Sequence, residues 1–508
     1  MNQNVIINVV FVAVALIIAI FLGQWVVTAP KEVGIGLAVV VAAVTFFVMK
    51  QHVWMLVPAF MTLSISFPWI PGGFSPVELA CIYVIVCTFF LLLTRKITLR
   101  IQMTAIEWMA LLVILMLLQA FIRNPAGIRL MHSDYVGGRA YFVMTVFIFS
   151  AYILATTRTN HARISKLFKW SILGYLGSFG INAIAQISGA LAVYTGALFG
   201  VYGEYGGPLG QDMDNSNADT SKAGRSAAAT IWARASSRCL SAFRNPLTAL
   251  WHPFWGIILL SALLGAGMSG FRNVIASTCL TFVFGVYYWG RGKAVFAGCL
   301  LGIVAYLLIN ILNMMMPLPA NIQRSLSFLP GTWEERYVED AGASTDWRIE
   351  MWEEALFTDR YIENKMLGDG LGIRRSDFSH MMAISTSRVI TDEMSQERAM
   401  LAGDFHSGPI TTIRVMGYSG LLVLITAMLL VAIRAHKLII YSRKKPYFRE
   451  VIFFCLPLVW FPLFFVFIFG SFKASIPTFF LQVGLLRLLE INLKGREEAN
   501  EINSELAR

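Results

Sequence analysis

VIFFCLPLVWFPLFFVFIFG, residues Val451–Gly470, contains no charged side chain. About 20 apolar residues wound as a helix cover the roughly 30 Å hydrocarbon core of a bilayer. The run Ile476–Leu489 follows this stretch, and Ile410–Ile433 precedes it. Working towards the N-terminus, further runs are Ala294–Met316, Val274–Trp289, Thr248–Met268, Leu167–Ile187, Ala140–Thr156 and Ala105–Ile122. Pro76–Thr94, Val53–Ile70, Val33–Met49 and Val5–Val27 complete the set. The 508 residues are 57% hydrophobic and 14% charged, against about 25% charged in a soluble domain. The expected fold class is all-α: a polytopic membrane protein of about 12–14 transmembrane helices with one large, partly helical external loop.

The first run has no basic n-region and no clean cleavage site, so it reads as a span rather than a signal peptide. Basic clusters at Arg95–Arg100, Arg158–Lys169, Arg291–Lys293 and Arg434–Arg449, with Lys50–His52 beside them, mark the cytoplasmic side. The net charge of +11 is thereby explained by orientation, and nucleic acid is not expected as a partner. The clusters at Lys169 and Arg291 share a side, so the chain between them crosses an even number of times. Only three clear runs lie there, and a fourth crossing is hidden. Ser226–Phe243 is the better candidate despite Arg234 and Arg238 within it; Gly189–Gly203 is the alternative.

The expected organisation is membrane helices over 1–316, a large loop over 317–408, membrane helices over 409–490 and a cytoplasmic tail over 491–508. The loop carries sixteen acidic and nine basic residues, a balance opposite to the basic clusters, and parity places it outside. Its length suits function better than connection. The six cysteines have no metal-ligand spacing and read as small hydrophobes. No metal and no cofactor are expected.

Within the loop, Thr345 or Asp346 is a candidate N-cap for a helix through Leu356. Ile349, Trp352 and Leu356 would mark one face, with Arg348 four residues before Trp352. The glycines of Gly368-Asp369-Gly370-Leu371-Gly372 exclude helix and allow close approach of backbone to a ligand. No strand–helix unit surrounds them, so they are not a dinucleotide fingerprint. His406 ends the loop just before the span opened by Pro409. An imidazole there is either an interfacial residue or a proton acceptor near neutral pH. Arg272, between two apolar runs on the outer side, is either a snorkelling anchor or an anion clamp.

Taken in order, these pieces resemble the O-antigen ligase and O-antigen polymerase superfamily. The resemblance rests on Ser269-Gly270-Phe271-Arg272, then Arg348-Ile349-Glu350-Met351-Trp352-Glu353-Glu354-Ala355-Leu356, then Gly368-Asp369-Gly370, His406 and Gly417-Tyr418-Ser419-Gly420-Leu421. It covers roughly 260–430. The chain departs from the family in having His406-Ser407 where His-Asn is common. A second family arginine is expected near 203–245; Arg225, Arg234 and Arg238 compete for it, and topology favours Arg225. The resemblance implies a glycosyltransferase of the bacterial inner membrane with its active face in the periplasm. Its donor is an undecaprenyl-pyrophosphate-linked glycan. Its acceptor is a hydroxyl of a glycan, a lipid A core or a protein. His406 is the implied base, and Arg272, Arg225, Arg348, Trp352 and Arg238 are the implied diphosphate or glycan contacts. A glycan transporter or flippase is the competing class, but no pair of matching halves is visible.

Overall fold

The computed structural model describes residues 31–67, 73–99, 103–125, 138–187, 195, 200–201, 226–386 and 391–494. The run Val5–Val27, most of Gly189–Gly203, Arg225 and the tail beyond Lys494 lie outside the described residues.

In chain order the principal helices are α1 (Lys31–Met49), α2 (Leu56–Phe60), α3 (Pro76–Leu93), α4 (Ala105–Arg123), α5 (Arg139–Thr156), α6 (His161–Ile187) and α7 (Ala227–Phe243). They continue with α8 (Pro253–Met268), α9 (Arg272–Met315), α10 (Glu335–Phe357), α11 (Gly408–Ser442), α12 (Phe448–Phe467) and α13 (Phe472–Leu489). Two-residue strands at Ile65–Ser66 and Gly200–Val201 pair antiparallel. Among the described residues, eight helices are long and apolar enough to cross a membrane, and α8 is a shorter apolar helix. The chain is an all-α, multi-pass membrane protein.

Its core is the seam where α5, α11, α12 and α13 meet, filled by side chains such as Leu154, Met428, Val451, Cys455 and Leu481. Gly484 lets α13 lie against the backbone of Ala151: a Cβ there would sit 2.5 Å from its carbonyl oxygen. At the end of the bundle opposite the large loop, Arg487 bonds Glu107 at 2.6 Å and also pairs with Glu490. Glu490 in turn meets Arg434 at 3.1 Å. This network corrects the sequence boundary of α11. The helix runs past Ile433 to Ser442, because Ala435, Leu438 and Ile439 remain buried and Arg434 finds a carboxylate.

Ser226–Phe243, the better candidate for the hidden crossing, is a helix. Ser226 caps α7 by accepting from the Ala229 amide at 3.1 Å. Its buried residues include Ala233, Ser237, Leu240 and Ser241, so α7 is an interior element packed by α6, α8, α9 and α12.

The segment α9 keeps helical hydrogen bonding for 44 residues, and a straight rod of that length would measure about 66 Å. Yet Asn321, six residues beyond Met315, donates to the Met268 carbonyl beside the start of α9. Six residues reach about 20 Å, so α9 folds back on itself. The bend is at Gly290, where an added Cβ would meet the Ala294 Cβ at 2.5 Å instead of about 5–6 Å. The basic Arg291–Lys293 turn therefore separates two limbs, as the sequence implies.

Candidate functional site

The large loop sits on one end of the bundle, and its glycine run is the main fastening. Within α11, Gly417 has φ 73 and interrupts the helix. The turn and loop at 365–370 enter this break through four backbone bonds. Asp369 N and Gly370 N donate to the Arg414 and Val415 carbonyls at 2.7 and 3.1 Å. Tyr418 N and Ser419 N donate to the Lys365 and Met366 carbonyls at 2.8 and 3.4 Å. Gly368, with φ 74, lies so close that a Cβ would be 2.4 Å from Met416 N.

Arg414 completes the fastening. Its side chain is 1% exposed; Nη1 and Nη2 donate to the Gly370 and Gly372 carbonyls at 3.2 and 3.0 Å. The Asp369 carboxylate is 3.9 Å away and accepts from the Glu363 and Asn364 amides at 2.9 and 3.0 Å. From α4, Arg123 donates to the carbonyls of Leu367 and Gly368, at 2.8 and 2.5 Å. Close backbone approach at these glycines is thus real, but what approaches is the chain's own helix α11.

Helix α10 starts at Glu335, ten residues before the expected cap, and Thr345 lies inside it, donating to the Ala341 carbonyl. The apolar face is also rotated from the expected one. Met351 and Ala355 are buried, Trp347, Trp352 and Leu356 pack beside them, and Ile349 is 45% exposed. The reason is the partner: this face covers Leu401, Ala402, Phe405 and Ile413, a second small core outside the main seam. Around it, Arg360 bridges Glu354 and Glu397 at 2.8 Å each, and the Glu354 bond raises its pKa. Burial pushes the neighbouring Tyr361 hydroxyl up to about 12.

This second core shapes the surroundings of His406. Trp352 Nε1 donates to the Phe405 carbonyl at 2.7 Å, fixing the peptide just before the histidine. His406 takes φ 50, a left-handed conformation uncommon for a side-chain-bearing residue. The preceding Gly403, φ 78, packs against the Arg414 side chain, so the fastening and this turn adjoin. The imidazole stacks on Phe469 at 6.1 Å and 27° and meets the Trp347 edge at 5.8 Å. Its Nδ1 is 3.9 Å from the Asp404 carboxylate, and its side chain is 14% exposed. At 3.9 Å the Asp404 carboxylate is a nearby negative charge rather than a hydrogen-bond partner of the ring, and it is the two rings that hold the imidazole plane.

The other sequence candidates lie in different surroundings. Arg348, half-buried, neighbours Trp347 on α10. Arg272 opens α9 on the loop-bearing end and lies over the Phe328 ring at 5.8 Å. The serine before it binds the turn together: Ser269 accepts from Phe271 N and Ser226 N and donates to Ala266 O. Arg238 lies deeper, twelve residues along from the Ser226 cap, or about 18 Å. It donates to the Tyr175 hydroxyl at 2.6 Å. Arg225 falls outside the described residues.

Sequence reasoning missed Arg414, Asp369, Trp347 and Phe469. Arg414 had a usable signal, since it is a charge inside the run Ile410–Ile433. Among the described residues no group of three His, Cys, Asp or Glu side chains is placed to hold a metal. No protein-family model matches the chain, and no curated protein matches it.

Proposed function

We propose that this chain is a glycosyltransferase of the bacterial inner membrane, of ligase or polymerase type. It moves a glycan from an undecaprenyl-pyrophosphate carrier to a hydroxyl of a glycan, a lipid A core or a protein at the periplasmic face. The observation that carries the reading is His406: an imidazole in left-handed backbone, walled by Trp347 and Phe469, with Asp404 at 3.9 Å from Nδ1.

In this mechanism the His406 Nε2 accepts the proton of the acceptor hydroxyl. The acceptor oxygen bonds to the anomeric carbon as the bond from that carbon to the diphosphate oxygen breaks. Undecaprenyl diphosphate leaves with the bonding pair, and Asp404 stabilises the imidazolium. Arg272, with Arg348 and Arg225, supplies counter-charge to the diphosphate, a preorganised electrostatic role. Arg238 lies too deep to join them.

The test uses purified chain with an undecaprenyl-pyrophosphate-linked, labelled glycan and a hydroxyl acceptor. Label should move into acceptor-linked product and undecaprenyl diphosphate should be released. Movement of intact donor across proteoliposomes, without release of undecaprenyl diphosphate, would replace this reading with a transporter.

A further inference from the structure

The interior of the bundle holds a second polar feature, apart from the His406 turn. Between α7, α9 and α12 lies a cavity of about 20 Å³, lined by Arg234 and Arg238, by hydroxyls of α9 and by Trp460. It is well inside the membrane helices. Thr278 is six residues beyond the start of α9, about 9 Å down its axis. Trp460 is twelve residues into α12, about 18 Å from that helix's start.

Three of the lining hydroxyls are spent on their own helices. Ser237 donates to the Arg234 carbonyl, Ser277 to Val274 and Thr281 to Ser277, at 3.2, 3.1 and 2.7 Å. Two polar groups are not spent in this way. Thr278 is 1% exposed and Trp460 7%, and among the described residues neither Thr278 Oγ1 nor Trp460 Nε1 has a hydrogen-bond partner. A tryptophan N–H can only donate, so what belongs opposite it is an acceptor. Leaving such a donor buried without one is costly. The charge has the same sense. Arg238 holds the neutral Tyr175 hydroxyl, which brings no negative charge, and among the described residues no acidic side chain lines the cavity. A partly buried guanidinium inside a membrane bundle is stabilised by a counter-charge beside it.

We infer that this cavity is a binding site for one small monatomic anion of the halide class, held by Arg238, Arg234, Thr278 and Trp460. Size decides the class, because about 20 Å³ admits a single water-sized sphere. A diphosphate does not fit, so the site is distinct from the donor contacts proposed above and does not rest on them. A water would satisfy the Trp460 N–H and leave the charge of Arg238 where it was.

The experiment uses the full chain purified in detergent, with bromide and chloride as probes and gluconate replacing them at constant ionic strength. The melting temperature should rise with halide concentration and saturate, because an ion that binds only the folded state stabilises it by mass action. Trp460→Phe keeps a ring and removes the donor, and Arg238→Gln removes the charge; both should lose the saturable rise. Thr278→Val serves if either variant fails to fold, with the rise weakened at least tenfold in halide concentration. Bromide anomalous scattering should give one peak between Arg238 and Trp460. Equal melting in halide and gluconate, an undiminished rise in the variant, or no peak there would each overturn the inference, leaving the cavity to water.

Discussion

Two segments of the large loop carry marks of a site, and they do opposite things. The glycine run 368–372 is packed backbone to backbone against the break at Gly417, with Arg414 buried across it. The turn 404–407 is held from outside, by Trp352 and the α10 core, and presents an ionisable ring between aromatic walls. The first segment uses its polar groups on the protein itself. The second keeps a titratable side chain partly exposed. Glycine at alternate positions signals close approach, but it does not say to what; a protonatable side chain held in unusual backbone is the better indicator of chemistry.

Substitutions can break this contrast, and the largest effect belongs to the fastening. Gly417→Val should abolish folded protein, since a Cβ would stand 2.1 Å from the Met366 carbonyl at a φ of 73. The measure is monodisperse yield from detergent, against Gly302→Val as a control, where an added Cβ meets nothing within 4 Å. Arg414→Met should cost about 3–5 kcal/mol, because it leaves Asp369 and two carbonyls buried without their partner. Thermal unfolding should show that loss, while transfer per folded molecule stays near wild type. The smallest effect is expected at Trp352→Phe, which deletes the bond to the Phe405 carbonyl for about 1 kcal/mol. Transfer should slow by less than about tenfold, and a larger loss would show that Trp352 contacts substrate itself.

Much of the bundle was legible because apolar length is a direct physical demand of the bilayer. Val451–Gly470 could be little else, and parity asked for one more crossing before Arg291, for which Ser226–Phe243 was the better candidate in spite of its arginines and Gly189–Gly203 the alternative. The turn at Arg291–Lys293 was legible from charge, although helical bonding continues through it. The boundaries of α10 were not. Ala341-Gly342-Ala343-Ser344-Thr345 has weak helix propensity, and the helix persists there because tertiary packing buries Ala341. The buried face of α10 was missed for the same reason: which of Ile349 and Met351 turns inward depends on Phe405 and Leu401, about fifty residues later. The aromatic wall at Phe469 was illegible because it looked like one more apolar residue at the end of a span.

The central claim is that His406 takes a proton from the acceptor, and single-turnover transfer by His406→Ala and His406→Gln tests it most directly. Both should be compared with wild type at matched membrane levels, with donor binding measured alongside. The account predicts a fall of about 10²–10⁴-fold in both variants with donor binding retained, and a rate that rises with pH in wild type and is flat in the variants. A near-normal rate in His406→Ala would contradict it and leave His406 an interfacial residue between Trp347 and Phe469.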